Sequence, residues 1–189
     1  MTSMTMNTEQ QEELRRTAEL HRPIARAAAL GHRNGVGLLV FGVLSLLFSL
    51  ADFDPVGLLI GSLLLVTGFV EVRTSRLLAR ADPFAPRILA RNELVLMAGI
   101  SIYCVLKLTV LKGSGEELAA QLDGMIDMGT DVVALTNSLT TLIYATFLVV
   151  TLFYQGGMAW YFLRRREMIE SFVSECPEWA RRVVAEFKA

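Results

Sequence analysis

Two cysteines and two histidines are all that the 189 residues offer to thiol chemistry or soft-metal binding. Cys104 falls in an apolar run and Cys176 in a charged tail, so no disulfide joins them and neither has a metal partner at useful spacing. Net charge is nearly absent as well, with 18 lysines and arginines against 19 acids. That balance identifies no partner, and no nucleic acid is expected. Missing too are HExxH, a Walker lysine loop, GxSxG and a dinucleotide glycine fingerprint. His21 and His32 lie in a polar N-terminal segment, away from clustered acids, and read as surface residues. Glu71 and Glu93 stand at the ends of apolar runs beside Arg73 and Arg91, their expected ionic partners. No twin-carboxylate relay inside an apolar run follows from this reading, and neither an enzyme, a cofactor nor a metal is expected.

What the chain has is apolar sequence. Hydrophobic residues make up 53% and the mean hydropathy is +0.46, arranged as long apolar blocks between charged clusters. Four runs are near the roughly 20 residues that a helix needs to cross a bilayer: 35–53, 55–72, 93–111 and 139–163. Their continuity, without alternation, predicts helices rather than a barrel. The expected fold class is all-α: a polytopic membrane protein with four transmembrane helices. Residues 1–34 form a polar helical extension, 35–163 the membrane domain and 164–189 an amphipathic tail. The first run is not a cleaved signal peptide, since 34 polar residues precede it and no small-x-small pattern closes it.

Charge distribution predicts orientation. Arginines crowd residues 1–34, the 73–91 linker and the Arg164–Arg166 triplet, whereas the other two connections carry acids. By the positive-inside rule both termini face the cytoplasm, and a bacterial inner membrane is the expected location. Trp160 and Tyr161 fit an aromatic anchor beside the triplet.

Between the runs, TEQQEELRRTAELHRPIARAAALG reads as a helix with a Thr8–Gln11 capping box, broken or kinked at Pro23, then a short helix ending at Gly31. DPFAP punctuates the central linker. Residues 113–138 have the spacing of an external amphipathic helix. In the tail, Pro177 fits the first turn of a helix with Trp179, Val183 and Phe187 on one side.

Two patterns inside the runs are candidate functional features. Small residues (Gly42, Ser45, Gly57, Gly61, Gly68, Gly99) let helix backbones approach closely in lipid, and Gly156–Gly157 offers a kink or a close crossing. Whether these faces close within the chain or between subunits is open, with intrachain packing preferred. Asn137, Thr141, Tyr144, Thr151 and Gln155 share one side of the fourth run, either as interhelical glue or as a pore lining. Leu148 interrupts the stripe, and threonine satisfies its hydroxyl on its own helix, so glue is preferred. Lys107, the one intramembrane charge, snorkels outward or pairs with Asp52, Asp54 or Asp131.

The hairpin GVGLLVFGVLSLLFSLADFDPVGLLIGSLLLVTGFVEV, with Gly61 and Gly68 in its second helix, resembles the paired glycine-rich spans of HdeD-type small bacterial membrane proteins over residues 35–80. That resemblance implies a role in membrane stress. The residues themselves favour an accessory or scaffolding subunit acting through packing, as a homo-oligomer or within a larger membrane complex. A homo-oligomeric channel lined by the fourth run is the alternative.

Overall fold

The computed structural model describes residues 7–51, 53–109 and 131–186. Among them every regular element is a helix: α1 Thr8–Ala51, α2 Pro55–Ala79, α3 Ala85–Thr109, α4 Asp131–Glu175 and α5 Glu178–Glu186. The first four are long and apolar enough to cross a membrane. The external segment falls largely outside the described residues, as do Asp52 and Phe187.

The helices overrun the apolar runs that predict them. Helix α1 is 44 residues long with Pro23 inside it, so neither the break at Pro23 nor the stop at Gly31 is found. Proline in a helix interior costs about 3 kcal/mol. Here the flanking residues His21, Ile24, Ala27 and Ala28 are all buried, and that tertiary packing keeps the helix whole. Its start also differs: Asn7 is the cap, its N–H donating to Gln10 Oε1 at 3.2 Å while its carbonyl accepts from Gln11 N. This is the reach-back half of a capping box, one residue earlier than Thr8.

The turns before and after α2 each use a non-glycine residue at positive φ. Phe53 (φ 52°) lies between α1 and α2, and the Asp54 N–H reaches back to the Ser49 carbonyl at 2.9 Å. Asp54 then caps α2 by accepting from Val56 N, with Pro55 in the first turn. After α2, Ala81 (φ 57°) donates to the Leu78 carbonyl and Asp82 to that of Leu77, the two bonds of a Schellman stop. Asp82 Oδ1 accepts from Phe84 N at 2.8 Å, which seats the DPFAP turn ahead of α3.

The chain divides into two compact units, Met1–Glu93 with Met158–Ala189, and Leu94–Gly157. In the first, Ile24, Leu78, Leu89, Phe162 and Ile169 are fully buried and form one core with Phe172 and Cys176. Helix α5 buries Ala180 and Val184, whereas Trp179 is exposed. Of the predicted Trp179–Val183–Phe187 face, Val183 is half-buried and Phe187 lies outside the described residues. The Arg16–Glu175 ion pair at 3.3 Å joins α1 to the end of α4. In the second unit α3 buries Leu96, Ile100 and Cys104, stepping by four. Ile102 and Val105 of α3 and Phe147 and Phe153 of α4 are exposed, as lipid-facing positions should be.

Candidate functional site: a buried carboxyl pair

Glycines set the geometry of the α1–α2 seam. A Cβ at Gly42 would stand 3.0 Å from Leu65 N, one at Gly61 3.0 Å from Leu46 N, and one at Gly68 2.9 Å from the Gly35 carbonyl. At Gly57 it would collide with the Ser49 hydroxyl, and Ser45 Oγ donates to the Gly57 carbonyl at 3.5 Å. These small faces thus meet within one chain.

The same register carries an acid into the interior. On α2, Gly61, Gly68, Glu71 and Ser75 follow at helical spacing along one side, so the approach at Gly68 brings Glu71 against α1 one turn later. On α3, Leu89, Glu93, Leu96 and Ile100 do likewise. Glu71 and Glu93 are both 0% exposed. Asn34 of α1 lies between them, its Nδ2 donating to Glu71 Oε1 at 2.8 Å and to Glu93 Oε1 at 3.4 Å. One layer on, Asn92 Nδ2 donates to the Thr67 carbonyl at 3.0 Å, tying α3 to α2.

The pairing of these acids with Arg73 and Arg91 is not found. Both arginines are exposed. The ion pairs among the described residues are Arg15–Glu19, Arg16–Glu175, Arg166–Glu170 and Arg182–Glu178. A buried carboxyl pair, which sequence reading excluded, is the most unusual chemistry in the molecule. The signal that marks it is the spacing from Gly68 to Glu71, which puts the acid on the packing side of its helix.

His21, read as a surface residue, is 3% exposed. Its Nε2 is 2.8 Å from the Ala79 carbonyl, and its ring packs at a tilt against Phe172 with centroids 5.4 Å apart. It joins α1, the end of α2 and α4, a structural post rather than a site. His32 is exposed.

The polar stripe of α4 divides. Asn137 and Thr141 are exposed, Tyr144 and Leu148 are half-buried, and Thr151 and Gln155 are buried. Tyr144 packs edge-on against Tyr103 with ring centroids 5.9 Å apart and hydroxyls 3.5 Å apart. Lys107 is half-buried, its ammonium 6.0 Å from the Tyr103 ring, and the described ion pairs do not include it. Gly99 is half-buried on α3. A Cβ at Gly156 or Gly157 would meet nothing within 4 Å. At the arginine triplet, Arg164 lies 4.2 Å over Trp160 and Arg165 4.5 Å over Tyr161, cation–π pairs worth about 0.5–1 kcal/mol each where exposed.

Compared with family models, curated proteins and solved structures, the chain matches none.

Proposed function

We propose that this chain is a non-catalytic membrane subunit that works through helix packing, with the outer face of α4 as its contact surface and a second copy as its partner. The observation that carries this reading is the contrast among its glycines. In lipid, helices attract one another chiefly through close backbone approach, since burial against neighbours gains little over lipid tails. The glycines of the α1–α2 seam already serve such an approach. Gly156 and Gly157 give α4 the same capacity with nothing within 4 Å to use it, while each weakens the helix by about 1 kcal/mol relative to alanine.

The surrounding face is suited to a like partner. Phe153 and Trp160, 80% and 59% exposed, flank the glycine recess by about one turn on either side. A face with both protrusions and a recess is complementary to itself about a two-fold axis. The opposite side of α4 is covered, with Thr151 and Gln155 buried, which weighs against a pore lined by that stripe. The arginine distribution supports an orientation with both termini inside.

Counting subunits by single-molecule photobleaching of full-length labelled chains in native-composition membranes tests the proposal. Two steps are expected for the natural chain and one for Gly156→Leu/Gly157→Leu. A single step for the natural chain, or pairing unchanged in the variant, would overturn it.

A further inference from the structure

We infer that Glu71 and Glu93 form a proton-binding site, holding one proton between their carboxyl groups with Asn34 as the neutral clamp that positions both. The inference stands on geometry and does not depend on self-association.

Both side chains are completely buried. A single amide nitrogen is within hydrogen-bond reach of an oxygen on each, so those two oxygens are no further apart than the two bond lengths laid end to end. Two carboxylates can only accept, so these neighbouring groups can bond to each other only when one of them carries a proton to donate. The second oxygen of each, Glu71 Oε2 and Glu93 Oε2, is buried without a partner. A buried oxygen with nothing to accept from is costly, and a proton on one carboxyl lets it donate to the other.

The ion pairs among the described residues include neither acid. On the helices around it, Arg33 and His32 of α1, Arg73 and Arg76 of α2, and Arg87 and Arg91 of α3 are exposed. On α4, Arg164 lies over Trp160, and half-buried Arg165 lies over Tyr161 and donates to Met168 Sδ. The remaining neighbours are neutral: Asn34, Thr67, Ser75 and Asn92. Like charges this close cannot both persist in a low-dielectric interior. A proton is favoured over a metal ion, because Asn34 presents its N–H2 group to the acids, whereas a metal would be met by its carbonyl oxygen. Among the described residues no group of three or more histidines, cysteines or acids gathers to hold a metal.

The proton balance is simple. With one proton bound, one carboxylic acid donates to the other carboxylate, and the pair carries a single negative charge facing the Asn34 amide. When hydroxide removes that proton, the pair carries two negative charges with one amide group between them. Repulsion then acts between α2 and α3 at the layer where Asn34 and Asn92 tie α1, α2 and α3 together. The site therefore couples proton occupancy to the packing of three helices.

Infrared difference spectroscopy on the full chain in lipid nanodiscs, titrated from neutral to alkaline pH, reads this directly. One carboxylic-acid carbonyl band per chain is expected at neutral pH, shifting in D2O, disappearing on alkalinisation and absent in Glu71→Gln/Glu93→Gln. Thermal melting of the same samples should fall from neutral to alkaline pH in the natural chain and stay flat in Glu93→Gln. The natural-chain spectrum needs no variant, so misfolding of a mutant does not blunt the test. Absence of a protonated carboxyl at neutral pH would overturn the inference, as would a band that survives in the double variant.

Discussion

Along the α1–α2 seam a methyl group added at Gly35, Gly42, Gly61 or Gly68 would stand 3.0 Å or less from a backbone atom of the facing helix, whereas at Gly156 and Gly157 of α4 it would meet nothing within 4 Å. Both regions pair apolar sequence with glycine, and composition does not tell them apart. Contact does. In the seam, glycine allows two helices of one chain to touch and brings half-buried Asn34 against the buried Glu71. On α4 it leaves a recess between exposed aromatics. The lesson is that a glycine pattern in a membrane helix predicts a close crossing but not whose helix does the crossing.

Substitutions can break this comparison, and the largest effect belongs to the seam. Gly68→Leu drives a side chain into the α1 backbone, which cannot yield as a flexible side chain would. A loss of about 3 kcal/mol is expected, at the upper end for overpacking, read as lowered resistance to denaturant in nanodiscs. Gly157→Leu should leave the same curve within about 1 kcal/mol and act on subunit number instead. Equal destabilisation by both would erase the distinction between the regions.

Next comes the polar layer that the seam creates. Asn34→Ala removes the donor shared by two buried carboxyl groups, and about 2 kcal/mol of stability should go with it. Asn34→Asp should be worse, since it adds a third acid beside two buried ones. Thermal melting of both variants at one pH gives the order. The His21 post should matter less. His21→Ala forfeits one hydrogen bond to the Ala79 carbonyl and the tilted ring contact with Phe172, for roughly 1–2 kcal/mol. The smallest effect is expected at the surface. Arg16→Ala breaks a pair whose side chains are 72% and 48% exposed, so solvent screening limits the loss to about 0.5 kcal/mol or less.

Four long apolar runs made the four long helices legible, because hydropathy and length alone require helices in lipid. Their ends were not legible. Helices α1 and α4 continue well past the apolar residues because Ile24, Ala27 and Ala28 on one, and Phe162, Ile169 and Phe172 on the other, enter a shared core. Mixed polarity there hides a buried side within what reads as a charged extension. The carboxyl pair was missed for a related reason: Glu71 and Glu93 each have an arginine two residues away, and proximity in sequence suggested pairing. On a helix, neighbours two apart point to different sides. The relevant neighbours were three to four residues away, Gly68 for Glu71 and Leu96 with Leu89 for Glu93. Read that way, both acids lie on the packing sides of their helices.

The central claim is that α4 has an open, self-complementary side while the α1–α2 seam is closed within the chain. Oxidative crosslinking of Gly157→Cys in intact membranes tests it most directly, since Cys104 and Cys176 are both buried. A dimer-sized product that forms with Gly157→Cys and not with the natural chain is the predicted result. A folded chain that stays monomeric under the same oxidation would contradict the account.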